Sequence, residues 1–236
     1  MKKLIIISVL HIIGNIISAQ NLNIESLFMS GSSPSAHYPE LYYEIQIARI
    51  NQNTSIELFY DETVQEYINS FLSTRKDEYF SFMERSEFFF PLFEKYLAEY
   101  NLPDELKYVA VIESGLKTDA RSPSDAVGLW QFKEKTGSHY GLIINDFRDD
   151  RLDPEASTIA ACEYIRVLYD IFGSWELALI AYNAGPTYLN EIINENKIVP
   201  DYHSVVSYLS TPAQRYLPAL VAIIYLFENF EMHFLH

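Results

Sequence analysis

Leu102–Phe132, LPDELKYVAVIESGLKTDARSPSDAVGLWQF, decides how the rest of the chain is read. Its first half has a helical period. Leu106, Val109, Ala110 and Glu113 stand at i, i+3, i+4 and i+7 and so share one face. All but the last are apolar. Pro103 suits the first turn of such a helix and Gly115 suits its end, which puts Glu113 in the last turn on the buried face. Desolvation there disfavours a carboxylate, and the negative end of the helix dipole acts in the same direction. A carboxyl group still protonated near neutral pH is what general-acid catalysis needs. The competing reading is a glutamate that turns out to solvent at a helix end.

The second half is irregular, with Pro123 and Ser124 breaking helix, and it carries motifs. Glu113-Ser114, Ala120-Arg121-Ser122-Pro123 and Gly128-Leu129-Trp130-Gln131-Phe132 resemble the catalytic domain of the soluble-type (SLT) lytic murein transglycosylases, in particular the membrane-bound lytic murein transglycosylase D group. Further matches follow in the family's order: Asp149-Asp150-Arg151-Leu152-Asp153-Pro154, Ala181-Tyr182-Asn183-Ala184-Gly185, and Tyr216-Leu217-Pro218. The resemblance implies an all-α, goose-lysozyme-like fold with a helical N-terminal extension. It implies a peptidoglycan lyase that cleaves the β-1,4 bond between N-acetylmuramic acid and N-acetylglucosamine and leaves 1,6-anhydro ends. Glu113 would be its single acid and base. Ser122, Trp130, Gln131, Tyr182, Asn183 and Tyr216 would bind substrate. Trp130 would offer a face for stacking on a sugar, and Gln131 an amide for an acetamido group.

Two of those residues also have a structural reading. Ser122 is a turn residue able to cap the following segment, and Tyr182 is a core aromatic whose hydroxyl finds a partner. Asp150, Arg151 and Asp153 are read as structural. The sequence departs from the family pattern in places. Asp125 replaces a glycine, which tolerates positive φ and brings a second carboxylate near the cleft. Lys133 stands where methionine is common, and would either oppose protonation of Glu113 or point outward. The segment Leu209–Pro218 keeps Tyr216 but has Pro212 for an acid and Gln214 for an arginine, with Arg215 one place late. These changes leave two rivals: a hydrolysing muramidase on the same fold, and a non-catalytic peptidoglycan-binding scaffold.

Around this centre, the 236 residues allow one good-sized domain with an extension, and 49% hydrophobic content suffices for a packed core. A net charge of −15 argues against nucleic acid as a partner and against attraction to an anionic membrane surface. A glycan strand carries few charges and fits an acidic protein with a local cleft.

Residues 1–19 read as a signal peptide: Lys2 and Lys3, an apolar run Leu4–Ile17, then Ser18-Ala19 before Gln20. The run is shorter than the roughly 18 residues that span a bilayer, so cleavage is preferred to anchoring. The expected product is exported across the inner membrane to the periplasm, with no integral membrane segment. Residues 20–37 read as a linker, 38–100 as the helical extension and 101–236 as the SLT-type catalytic domain. Within the extension, Leu41, Ile45 and Ile50 suggest a weak stripe and Val64, Tyr67, Ile68 and Phe71 a clearer one. Arg75–Glu84 reads as charged and exposed, and Phe88–Phe93 with Tyr96 and Leu97 as aromatic core. Gly137, Tyr140 and Gly141 mark a short connection. Cys162 is alone, hence no intramolecular disulfide. The six histidines are scattered, so neither metal nor cofactor is expected.

Overall fold

A computed structural model describes residues 40–234, so the leader expected over 1–19 and the linker over 20–37 lie outside the described residues. The helix α1 spans Glu40–Ile50, α2 Glu62–Leu72 and α3 Lys76–Glu99. A 3-10 turn, Asp104–Leu106, leads into α4, Lys107–Ser114. Then come α5 (Glu134–His139), a hairpin of β1 (Ile144–Asn145) and β2 (Arg148–Asp149), α6 (Pro154–Phe172) and α7 (Trp175–Ala184). The chain closes with α8 (Pro186–Asn196), α9 (Tyr202–Val205), α10 (Thr211–Gln214), α11 (Tyr216–Glu228) and α12 (Phe230–Phe234). Among the described residues the class is all-α with one small antiparallel hairpin.

Helix boundaries follow local chemistry. Asp153 accepts from the Ala156 amide (2.8 Å), Pro154 takes the first position of α6, and Gly173 ends it at φ 70°. Ser174 caps α7 by accepting from Leu177 N (3.1 Å). Asp61 does the same for α2 with Val64 N (2.8 Å).

The helix α11 explains the packing. Nearly every residue of Tyr216–Leu226 is buried, and a helix apolar all round belongs at the centre of a bundle. It packs against α2, α4 and α7 and is also touched by α1, so the residues expected as an extension share one continuous apolar core with those expected as the catalytic domain. Each fully buried aliphatic side chain contributes about 1.5–3 kcal/mol to that core.

Four expectations need correction. Phe88, expected in the aromatic core, is 76% exposed. In α1, Leu41 is 46% exposed, and the buried residues are Tyr42, Tyr43, Ile45, Gln46 and Ile47. The aromatic rings of Tyr42 and Tyr43, not a Leu41–Ile50 stripe, choose the face. Arg75–Glu84 is not simply an exposed charged stretch: Tyr79 and Phe82 are buried, since the stretch opens the 24-residue α3 and must give one face to the core. The connection expected at Gly137 is a short helix, in which Gly137 is buried under Leu142 and Ile144.

An arginine helps to hold the segment after α4. Arg151 is buried, pairs with Asp149 (2.8 Å) and donates to the carbonyls of Asp125 (3.3 Å) and Phe132 (3.4 Å). Gly128 has φ +86°, and a Cβ there would lie 1.9 Å from the Arg151 carbonyl oxygen. Positive φ and that contact together exclude any side chain. Gly128→Ala is expected to cost about 3 kcal/mol or more through strain and overpacking. Thermal unfolding of the purified variant checks this; an unchanged Tm would show that the segment relaxes freely.

Candidate active site

Glu113 sits where the periodicity puts it, in the last turn of α4. The helix is short and held by its apolar face: Leu106, Val109 and Ala110 are fully buried. Its end is pinned from several sides. Gly115 takes φ +59° as C-cap with Phe82 against its Cα, and the Arg85 guanidinium donates to its carbonyl (2.9 Å). The Ser114 hydroxyl has the carbonyls of Ala110 (3.0 Å) and Leu129 (2.9 Å) as acceptors that share its one proton, tying the helix end to the following segment.

The carboxyl of Glu113 keeps part of its surface on a cleft of about 880 Å³ while protein atoms pack around the rest of it. Desolvation pushes its pKa up from 4.5 to about 7, against the opposing effect of the Tyr216 hydroxyl, which donates to Glu113 Oε1 at 2.7 Å. Tyr216 is buried in the first turn of α11, and burial with the adjacent carboxylate holds its hydroxyl protonated, as a donor.

The other predicted residues divide. Ser122 lines the cleft, and its hydroxyl accepts from Ala126 N (3.0 Å) and lies 3.1 Å from Ser124 Oγ, so it serves the turn as well. Gln131 lines the cleft at φ 49°, its amide nitrogen donating to the carbonyls of Gly128 (2.9 Å) and Ala120 (3.3 Å). Trp130 corrects its expectation. Its ring is 0% exposed, lies 5.0 Å from the Phe93 ring, and donates through Nε1 to Thr158 Oγ1 (3.0 Å). A fully enclosed indole offers no face to a sugar; it anchors the segment from beneath.

Tyr182 donates to the Trp130 carbonyl (2.6 Å) and feels the Glu113 charge, but it does not line this cleft. Asn183 is exposed at the end of α7, also outside the lining. Asp125 adopts φ 61°, a conformation that Asp tolerates, yet its side chain is exposed and not part of the lining, so it places no second carboxylate there. Lys133 is exposed and outside the lining, so it points outward rather than into the cleft.

The sequence reading missed the opposite wall. Tyr67 and Phe71 of α2, and Phe82 and Arg85 of α3, line the cleft, with Lys117 and Arg121 beside them. Helical patterning of Arg75–Glu84 was the available signal, masked by its charges. Among the described residues there is no group of His, Cys, Asp and Glu able to hold a metal ion, and no helix is long and apolar enough to cross a membrane.

Residues 91–205 match the model of the transglycosylase SLT domain. Membrane-bound lytic murein transglycosylase D of Escherichia coli (strain K12) is 33% identical over 133 residues, covering 55% of this chain and 29% of that protein. Peptidoglycan transglycosylase gp16 of Escherichia phage T7 is 38% identical over 84 residues, 35% of this chain and 6% of that one. The chain therefore spans under a third of the length of either relative. Among solved structures, the 70-kDa soluble lytic transglycosylase of Escherichia coli aligns with a TM-score of 0.50 at 23% identity, covering 60% of this chain and 24% of that one, which shows a shared fold.

The raised pKa has a consequence for stability. An acid whose folded-state pKa of about 7 exceeds its ordinary 4.5 binds its proton more tightly when folded. Its contribution is complete below the ordinary value and is lost as pH rises through the folded one, by at most about 3 kcal/mol. Glu113→Gln is expected to remove this loss, so the variant gains stability over the parent at pH 8 but not at pH 4; urea unfolding at both pH values tests it. Tyr216→Phe removes the donor that favours the anion, so NMR titration of the Glu113 carboxyl should give a midpoint above that of the parent.

Proposed function

We propose that this chain, whose residues 91–205 match the transglycosylase SLT domain, cleaves peptidoglycan glycan strands as a lytic transglycosylase, with Glu113 as the single acid and base. The observation that carries the reading is a carboxyl group held near pKa 7 at the edge of an open cleft, with a protonated tyrosine 2.7 Å from one oxygen. Such a group is poised to give and take a proton near neutrality.

Glu113 protonates the glycosidic oxygen between N-acetylmuramic acid and N-acetylglucosamine. The C1–O bond breaks, and the substrate's acetamido group supports the positive centre. Glu113, now anionic and stabilised by the Tyr216 hydroxyl, takes the proton of the muramyl 6-hydroxyl as that oxygen closes on C1. The product ends in a 1,6-anhydro ring, and no water is consumed. Ser122 and Gln131 line the cleft as substrate contacts. Tyr182 and Trp130 act by supporting the site's frame rather than the sugar in this cleft. No metal or cofactor enters the scheme.

Two-carboxylate glycosidases need a partner acid at a set separation. The other carboxylates of the lining, Asp77 and Glu78, are exposed, and Glu78 is held by Arg75 at 2.7 and 2.8 Å. That favours internal attack by the sugar's hydroxyl, whose proximity advantage reaches effective molarities of about 10⁵–10⁸ M in favourable cases. The substrate's place in the cell wall agrees with export of the chain to the periplasm, with residues 1–19 as the leader.

On purified sacculi, Glu113→Gln should lower turnover at least about a hundredfold with the fold retained. Activity of the parent should fall as pH rises above about 7, where the acid is lost. Mass spectrometry of the digest should show mostly anhydro ends, each lighter by one water than a reducing end. Mostly reducing ends would identify a muramidase, and a folded Glu113→Gln variant of near-normal activity would remove Glu113 from its role.

A further inference from the structure

We propose that Arg85, Lys117 and Arg121 are specificity-determining residues of the cleft beside Glu113, recognising the carboxylate-bearing substituents of the bound glycan strand. This rests on the peptidoglycan reading above and concerns which glycan the site prefers.

The argument starts from charge. The chain has 17 Lys and Arg against 32 Asp and Glu, so its general field repels anions. The cleft inverts that balance. Arg75, Arg85, Lys117 and Arg121 line it, against Asp77, Glu78 and Glu113. Glu113 is largely neutral below its raised pKa of about 7, and Glu78 is already engaged by Arg75 in the two hydrogen bonds given above. Three cations remain against the exposed Asp77.

Those cations are not consumed by the fold. Among the described residues, none of the three forms an ion pair. Arg85 is half-buried on α3 and spends Nη1 on the Gly115 carbonyl, which fixes the plane of its guanidinium beside the end of α4. Lys117 and Arg121 are exposed on the segment that follows α4, near enough to Glu78 and Asp149 respectively to favour those anions without contacting them. The three thus come from two elements that meet at the same cleft. A fixed guanidinium suits a planar carboxylate, and two freer cations suit a substituent of variable reach. A neutral sugar ring has no use for such a set, whereas muramyl sugars offer carboxylates on the peptide stem or, once the stem is removed, on the lactyl group.

The test measures binding rather than cleavage, in a Glu113→Gln background, to three soluble ligands: N-acetylglucosamine oligomers without carboxylate, peptide-free strands with free lactyl carboxylates, and strands with peptide stems intact. At least one carboxylate-bearing ligand should bind tighter than the uncharged oligomer. Replacing Lys117 and Arg121 together by Gln should shrink that preference by about fivefold, as should raised salt. Whichever ligand loses more identifies the carboxylate recognised. Equal binding of all three, or a preference that survives the double substitution, overturns the proposal. A failure of turnover by the parent would sink the assignment of Glu113 and leave this binding comparison standing on its own.

Discussion

The hydrogen bond from Tyr216 to Glu113 is the constraint on which the rest depends. It joins residues 103 positions apart in sequence, one at the end of a short helix and one at the start of the most buried helix. A carboxyl in this position is expensive when charged and unremarkable when protonated, and the tyrosine brings the two forms close in energy near neutrality. The bond is only as good as the placement of α4. An eight-residue helix has little stability of its own. Its position comes from the core beneath it, from Phe82 and Arg85 at its C-terminal end, and from Ser114 gripping the Leu129 carbonyl.

The segment after α4 shows the same division of labour. It has almost no regular structure, so its backbone groups and turns are held by side chains from elsewhere. Arg151 binds two of its carbonyls, Thr158 receives the Trp130 indole, and Tyr182 takes the Trp130 carbonyl. Residues that resemble a saccharide-binding motif therefore include some whose work is to make the motif rigid. Trp130 is the plainest case: it is enclosed, and what faces the cleft is the neighbouring Gln131, turned there by a positive φ.

How much of this was legible in sequence follows from which interactions are local. Helix ends set by neighbouring residues were readable: Asp153-Pro154, Gly173-Ser174 and Gly185 mark boundaries that the structure repeats. Glu113 was readable because its face is defined within two turns. The cleft's far wall was not. Whether Arg85 faces solvent or the end of α4 depends on where a 24-residue helix lies against a helix formed later in the chain, which no periodicity encodes. The face of α1 was misjudged for a related reason: Tyr42 and Tyr43 are both buried because they meet partners near the other end of the chain, Met232 and Tyr225. Side-chain direction misled too, since an aromatic in a motif reads alike whether it faces a ligand or the core.

The altered segment before α11 illustrates how such a frame absorbs change. Arg215 reaches back to α2, donating to Glu66 (3.0 Å) and to the Tyr67 hydroxyl (3.3 Å), and Gln214 donates to the Leu209 carbonyl (3.0 Å). Both partners of the ion pair are substantially exposed, so its net contribution to stability is about 0–1 kcal/mol. Its geometric effect is larger than its energy. Arg215 immediately precedes Tyr216, and Tyr67 lines the cleft. One side chain thus ties the wall of the cleft to the start of the helix that presents the tyrosine to Glu113. A change of local charges that seemed to weaken the site in sequence instead connects its wall to its proton donor.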